Sequence, residues 1–177
     1  LRRVPLKLLR STLAVIPQDP VIFTGSVRAN LNYAAEGDAE ESVSDDAAWS
    51  ALRRSHLEKF VQSLPGTLDS AVEGWSLGQR QLLCLARALL REAGVLCIDE
   101  ATAAVDAQTD ELLQHTLTQE FDKSTVLTIA HRISTVMQSD RIAVVEKGQL
   151  HECASPQELL RDPNSAFAEL VEQSRSS

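Results

Sequence analysis

The sequence predicts an α/β domain built around a parallel sheet. Two apolar runs without polar alternation, Val-Leu-Cys-Ile at 95–98 and Val-Leu-Thr-Ile at 126–129, indicate strands of the kind found inside parallel sheets. A helical segment from about Thr109 to Glu120 separates them. The order strand, helix, strand forms a parallel sheet by a right-handed crossover. With 177 residues, 44% of them apolar, the chain is large enough for one globular domain with a hydrophobic core.

Short local patterns predict the elements of the first half. Apolar residues 13–16 are followed by a proline, which lacks a backbone donor, and this predicts a strand that stops there. Ser26 is placed to cap a brief helical turn. The acidic stretch 36–46 predicts a surface loop. From Ser44 the apolar residues follow a helical period, which predicts a helix that ends at Pro65.

The second half continues the same pattern of elements. A strongly amphipathic helix is predicted to begin after Ser76 and to be closed by Gly94. Residues 142–145 and 148–153 predict a hairpin, and residues 156–173 predict one or two terminal helices.

Composition disfavours some classes of function and indicates where the protein is found. The net charge of −8 disfavours binding to phosphate backbones or anionic lipid, so we expect no nucleic acid partner. No apolar run approaches the roughly 20 residues of a spanning helix. The cysteines Cys84, Cys97 and Cys153 are far apart and have apolar neighbours, which indicates core positions in a reducing compartment. The chain begins at Leu1 and its single methionine is Met137, so we expect a piece of a longer protein.

Polar residues follow the three strands that the sequence predicts, and the carboxyl ends of parallel strands are where functional groups gather. Asp99 is suited to hold hydrated Mg²⁺, and the adjacent Glu100 to orient or deprotonate an attacking water. His131 is a candidate donor to a transferred phosphate, and Gln18 a candidate ligand of the metal or the water. Taken singly, each also fits a structural role: acidic residues where a strand meets solvent, a satisfied histidine, and a loop amide packed between prolines.

The first turn of the predicted central helix suggests an anion site. Ser76 and Gly78 stand where backbone donors and the helix dipole favour a phosphate, and a glycine lets that phosphate approach closely. An ordinary capped helix explains Ser76 but gives no reason for a glycine in the first turn, where it weakens the helix.

Together these segments resemble ATP-binding cassette domains. The matching segments, in chain order, are Ile-Pro-Gln-Asp-Pro at 16–20 for the Q-loop, Trp-Ser-Leu-Gly-Gln-Arg-Gln at 75–81 for the signature motif, residues 95–102 for the Walker B strand, Ala-Val-Asp at 104–106 for the D-loop and Ala-His-Arg at 130–132 for the switch histidine. Residues 82–90 and 101–106 are similar to the second nucleotide-binding domain of subfamily C transporters, the multidrug-resistance-associated proteins.

The resemblance implies two ATP sites, each shared between two domains, with ATP and Mg²⁺ as cofactors. The Walker side of this chain would form one site and its signature side would complete the other. The implied residues are Glu100, His131 and Gln18 for catalysis, Asp99 and Gln18 for the metal, and Ser76, Gly78, Gln79 and Asp106 for the nucleotide. The implied partners are the other nucleotide-binding domain of the same transporter and, through the Q-loop region, its transmembrane domains. The implied location is the cytosolic face of a membrane.

Three departures from the family pattern shape the expected fold. The sequence contains no Gly-x-x-x-x-Gly-Lys-Ser/Thr, so we expect a partial P-loop NTPase-like ABC ATPase domain without the Walker A strand and loop. Leu77 replaces the glycine of the commonest signature and could weaken the phosphate site. The segment 69–74 looks short, which predicts a misplaced or strained region there. We expect residues 1–177 to form the C-terminal part of one such domain, with a helical subdomain at about 32–92 and a catalytic core in the remainder.

The resemblance implies ATP hydrolysis coupled to efflux of xenobiotics or organic anion conjugates. We expect the 177 residues by themselves to be inactive, because the phosphate-binding loop supplies most phosphate contacts. Two alternatives stay open. One is a soluble ABC ATPase that acts on nucleic acid or the ribosome, although neither heptads nor net positive charge is present. The other is a non-catalytic truncated product that docks through its signature face.

Overall fold

The computed structural model describes residues 4–33, 42–99, 106–130 and 132–175, in two units that comprise residues 1–129 and 130–177. The first unit contains, in chain order, α1 (Leu6–Thr12), β1 (Leu13–Ile16), α2 (Val27–Asn32), α3 (Asp45–Arg54), α4 (Glu58–Ser63), a 3-10 turn (Thr67–Asp69), α5 (Leu77–Arg91), β2 (Val95–Asp99), α6 (Ala107–Glu120) and β3 (Thr125–Ile129). The second unit contains α7 (Ile133–Val136), β4 (Ile142–Glu146), β5 (Gln149–Ala154), α8 (Pro156–Arg161) and α9 (Ala166–Arg175). Most of the predicted loop at 36–46 lies outside the described residues.

The strands of the first unit form one parallel sheet in the order β1, β2, β3, which confirms the predicted fold class. Ile16 pairs with Ile98, and Asp99 pairs with Ile129, so the three strands end at the same edge. β2 lies in the centre, and β3 has one neighbour among the described strands. Leu127 and Ile129 of β3 are each 58% exposed, although their apolar character suits a covered strand.

Helix α5 forms the centre of the core of the first unit. Its buried side chains pack in one cluster with the strands and with α3, and Leu83 and Leu85 are fully buried. The helix begins as predicted after Ser76. It ends at Arg91, earlier than predicted, because Glu92 adopts a left-handed conformation (φ 46°) and stops the helix two residues before Gly94.

The helix predicted from Ser44 to Pro65 is two helices, α3 and α4. After α3, His56 adopts a left-handed conformation with φ 61°. The N–H of Leu57 donates to the carbonyl of Leu52 at 2.8 Å, and the N–H of His56 donates to that of Arg53 at 3.1 Å. These two bonds form a Schellman motif, and Leu52 and Leu57 are both buried in the core. The apolar period continues across the break, which is why the sequence pattern concealed it.

The short segment before α5 is neither misplaced nor strained, so that expectation was wrong. The N–H of Val72 donates to the carbonyl of Gly25 at 3.1 Å, and the N–H of Val27 donates to that of Ser70 at 3.0 Å. Val72 is buried in the core. The one positive φ within residues 69–74 belongs to Gly74 (81°), a residue without a Cβ, so no strain results.

The second unit contains the predicted antiparallel hairpin, β4 with β5, and two terminal helices. Ile142, Leu159 and Phe167 contribute to its small core. The carboxylate of Glu152 accepts hydrogen bonds from the N–H of Ala166 at 2.7 Å and from the hydroxyl of Ser165 at 2.9 Å, and so joins the hairpin to the start of α9.

None of the helices in the described part of the chain has both the length and the apolar character needed to cross a bilayer.

Candidate functional site

Two of the predicted site residues meet at the carboxyl edge of the parallel sheet. Asp99 is the last residue of β2, and Gln18 follows the end of β1 by two residues. Because Ile16 and Ile98 are paired in the parallel register, both polar residues lie at the same edge of the sheet. Both are exposed. This edge is where doubly wound sheets bind their ligands, because the strands end there and the loops diverge.

The chemistry of these two side chains fits Mg²⁺. A carboxylate and an amide oxygen are hard ligands, and Mg²⁺ in phosphate sites binds one or two protein oxygens and completes its shell with water and phosphate. Within the described ranges, no group of three or more His, Cys, Asp or Glu side chains is arranged to hold a metal ion. One carboxylate and one amide suit a magnesium site in which phosphate and water supply the remaining ligands.

The two other residues predicted at this edge, Glu100 and His131, lie outside the described residues. Each directly follows the described end of a strand segment: Asp99 precedes Glu100, and Ala130 precedes His131. Their predicted roles remain predictions.

The first turn of α5 carries a complete capping box. The hydroxyl of Ser76 accepts from the N–H of Gln79 at 3.2 Å, and the side-chain oxygen of Gln79 accepts from the N–H of Ser76 at 2.9 Å. Ser76 is exposed at the start of this helix of 15 residues. The earliest N–H groups of a helix have no acceptor within it, so Leu77 and Gly78 present the donors that an anion needs.

Gly78 has a packing role that the sequence did not reveal. It is buried against α6, and a Cβ at this position would stand 2.9 Å from the hydroxyl oxygen of Thr109. That hydroxyl donates to the carboxylate of Asp106 at 2.8 Å, and the same carboxylate caps α6 by accepting from the N–H of Thr109 at 3.0 Å. Close packing of the two helices therefore gives a structural reason for the glycine. Through Thr109 it also connects Gly78 with Asp106, two of the residues predicted to bind the nucleotide.

Leu77 is half-buried at the first position of α5. Trp75 is buried beside it in sequence, and its ring meets Phe60 edge-on with centroids 5.0 Å apart. Leu77 is not among the partly buried side chains that pack on the described core. Its effect on an approaching phosphate stays a prediction.

Arg87 of α5 anchors the segment that follows Gln18, a role that the sequence analysis missed. Its Nε donates to the carbonyl of Asn30 at 2.8 Å, and its other nitrogens donate to the carbonyl of Val21 and the side chain of Asn30. Asn30 is fully buried and exchanges two hydrogen bonds with the backbone of Phe23, at 2.8 and 2.9 Å. The Phe23 ring lies under the Arg87 guanidinium and stacks on Tyr33. Burial lowers the pKa of Arg87. The sequence signal that could have revealed this role of Arg87 is a charged residue on the apolar face of a predicted helix.

A cavity of about 280 Å³ opens beside this network. β1, the loop after Gln18 and α5 supply most of its walls, and Val21, Phe23 and Tyr33 are among the apolar residues that line it. Val21 is 53% exposed and Tyr33 is 47% exposed, so a large part of the apolar lining faces outward. The cavity is open, apolar and next to a polar anchor, which suits a protein segment better than a small polar ligand.

Comparison with known proteins identifies the family. A family model described as ABC transporter matches residues 2–103, which is more than half of the chain. The chain belongs to the ABC transporter family. The match includes Gln18 after β1, Ser76 at the start of α5 and Asp99 at the end of β2.

Curated relatives of this ABC transporter domain belong to multidrug-resistance and sub-family C proteins. The chain is 50% identical over 167 residues to Multidrug resistance protein mrp-7 of Caenorhabditis elegans, a match that covers 92% of this chain and 11% of that protein. It is 50% identical over 163 residues to ATP-binding cassette sub-family C member 2 of Homo sapiens, covering 90% of this chain and 10% of that protein. Against sub-family C member 10 of Mus musculus the identity is 48%, with coverage of 94% and 11%. The chain thus spans about a tenth of the length of these relatives.

A solved structure supports the fold. The structure of a bacterial Atm1-family ABC exporter with ATP bound superposes with a TM-score of 0.86 and 30% identity, over 98% of this chain and 30% of that one. The ABC ATPase fold that the motifs implied, and the subfamily C resemblance, are therefore confirmed.

Proposed function

We propose that this chain is the signature-bearing part of a nucleotide-binding domain that hydrolyses ATP for an exporter, at the cytosolic face of a membrane. One observation carries the proposal: the parallel register brings Gln18 and Asp99 to the same edge of the sheet. The family match and the ATP-bound exporter neighbour support this function. The multidrug-resistance relatives favour xenobiotics or organic anion conjugates as the transported compounds.

At the Walker side, Asp99 and Gln18 would hold Mg²⁺, which neutralises charge on the transferred phosphate. Glu100 would accept a proton from the attacking water as the water oxygen bonds to the γ-phosphorus and ADP departs. His131 would donate a hydrogen bond to that phosphate. Asp99 and Glu100 are adjacent in sequence, so Asp99 would hold the metal while Glu100 would serve as the base.

At the signature side, the first turn of α5 would contact ATP held by the other nucleotide-binding domain of the same transporter. The capped start of the helix supports this, because Ser76 is exposed and the dipole and first N–H groups of a helix favour an anion there. Gln79 and Asp106 would position this turn through the capping box and through Thr109.

The cavity beside Gln18 would receive a segment of the transmembrane domains. Its exposed apolar lining, Val21 and Tyr33, supports a protein partner. The anchoring of Phe23 by Asn30 and Arg87 gives that partner a fixed surface that connects directly to α5. A displacement of the cavity lining by this partner would therefore be transmitted to α5, the signature helix.

The experiment is the substitution Glu100→Gln in the full-length transporter. We expect ATP hydrolysis to fall by about two orders of magnitude or more, because the amide keeps the shape of the side chain and loses its basicity. Equilibrium nucleotide binding should remain close to wild type. Phosphate release and binding of labelled ATP measure the two quantities.

Glu111→Gln is the matched control, because Glu111 is an exposed carboxylate on α6. It should hydrolyse ATP at about the wild-type rate. Equal losses of nucleotide binding and turnover in Glu100→Gln would instead make Glu100 a structural residue.

A further inference from the structure

Gln81 of α5 is a buried polar side chain that the mechanism above does not use. It is 1% exposed and shares the inward face of the helix with Leu85. Its side-chain Nε2 donates to the carbonyl of Gln18 at 2.8 Å and to the carbonyl of Pro17 at 3.3 Å. A residue one turn into the signature helix thus binds the backbone of the loop that carries Gln18.

Core packing does not explain a glutamine at this position. Its side-chain Oε1 is buried, and it has no hydrogen-bond partner among the residues that the structure describes. A buried amide with an unpaired acceptor is unfavourable, and a methionine fills a similar volume without that penalty. The stabilisation by Gln81 must therefore come from its side-chain NH₂ group, which donates hydrogen bonds to the loop.

The loop needs such a support. Pro17 and Pro20 have no N–H to donate, and the side chain of Gln18 is exposed. The network of Arg87 holds the chain further along, beginning at Val21. Between the end of β1 and that network, the bonds from Gln81 fix the backbone from which the side chain of Gln18 projects.

We propose that Gln81 is a positioning residue that sets the Gln18 side chain at the sheet edge and ties it to the signature helix. The proposal rests on the role of Gln18 proposed above. Because Gln81 follows Ser76 by five residues in one rigid helix, a displacement of the signature turn by the partner domain moves the carbonyl that orients Gln18. The chain thereby links the ATP site that it serves with Gln18 to the ATP site that it completes with Ser76.

The test is a double-mutant cycle in the full-length transporter, with Gln18→Ala, Gln81→Met and the double variant. We expect kcat for Mg²⁺-dependent ATP hydrolysis to fall about tenfold in Gln81→Met, since sub-ångström to ångström misplacement of a positioned group has effects of this order or larger. ATP binding without Mg²⁺ should be unchanged. The double variant should be no more than about twofold slower than Gln18→Ala, because both changes remove the same function.

Two further variants separate positioning from packing. Gln81→Leu also removes the donor and buries no charge, so it should show the loss of Gln81→Met; it also provides the comparison if the methionine variant does not fold. Leu83→Met, at a fully buried neighbour on α5, should keep the wild-type kcat.

A normal kcat in Gln81→Met beside an impaired Gln18→Ala would overturn this proposal and leave the proposed function standing. Losses that multiply in the double variant would also overturn it, because they would show an independent structural role. A wild-type rate in Gln18→Ala would overturn the proposed role of Gln18 and this proposal with it.

Discussion

Gly78→Ala tests whether the signature helix must lie directly against α6. The added Cβ would meet the Thr109 hydroxyl oxygen at 2.9 Å and the Thr109 methyl carbon at 3.1 Å, both closer than relaxed packing permits. Thr109 does not yield freely, because its hydroxyl donates to Asp106 at 2.8 Å and it lies in the first turn of α6. The two helices must separate, or the bond to Asp106 must break.

Two opposing contributions set the magnitude. Alanine is favoured over glycine by up to about 1 kcal/mol in a helix interior, and by less in the first turn. Overpacking of a tight contact costs about 1 to 3 kcal/mol. We therefore expect Gly78→Ala to lower the free energy of unfolding by about 0.5 to 2 kcal/mol, as measured by urea unfolding of the nucleotide-binding domain with tryptophan fluorescence.

The structure also predicts how to relieve the contact. Removing the hydroxyl and methyl with Thr109→Ala leaves the Thr109 Cβ as the nearest atom, at an ordinary 3.5 Å. In that background Gly78→Ala should be neutral or slightly stabilising, a coupling of about 1 to 2 kcal/mol in the double-mutant cycle.

Gly94→Ala is the matched control. Its Cβ would meet its nearest neighbour, the Thr12 methyl carbon, at 3.6 Å, and its φ is outside the left-handed region. Stability should change little. The reasoning is refuted if Gly78→Ala is as harmless as Gly94→Ala, or if its effect is the same with and without Thr109.

Two further predictions concern the surfaces that face partners. If the Leu77 side chain crowds the phosphate, Leu77→Gly in the full-length protein should increase nucleotide trapping at the site shared with the other nucleotide-binding domain. The substitution also lowers helix propensity, by up to about 1 kcal/mol. Unchanged or weaker trapping would show that the leucine does not obstruct the site. If the cavity receives a transmembrane segment, Val21→Asp should reduce transport and also cross-linking of this domain to the transmembrane domains, while ATP binding persists. The control Leu150→Asp, at a comparably exposed apolar residue in the second unit, should have little effect. Equal effects of the two substitutions would argue against docking at the cavity.

Local sequence patterns predicted the strands and most helices because the interactions that form them are local. The apolar runs that became β1, β2 and β3 and the cap at Ser76 depend on residues within a few positions of one another. The parallel pairing of β2 with β3 was also predictable, since a single helix lies between them and this connection favours a parallel crossover. The break between α3 and α4 was missed because His56 must adopt a left-handed conformation that its residue type does not announce.

The candidate site also has a part that the sequence predicted and a part that depends on contacts distant in sequence. The sequence placed Gln18 and Asp99 at strand ends, and the parallel register then put them at one edge. It gave Gly78 a reason at the phosphate site and none from packing, because the contact that a Cβ would disturb comes from Thr109, 31 positions later.

The sequence by itself thus determined the family, the order of the elements and the residue types suited to phosphate and Mg²⁺ chemistry. The tertiary structure decided which of those residues are held in place, and by what. Gln81 binds carbonyls 63 and 64 positions before it, and Arg87 binds Asn30 across 57 positions. Such bonds form because α5 packs across the end of β1, and a buried donor is satisfied by whichever acceptor the packing brings to it. No local pattern specifies that acceptor, so only the folded chain identifies it.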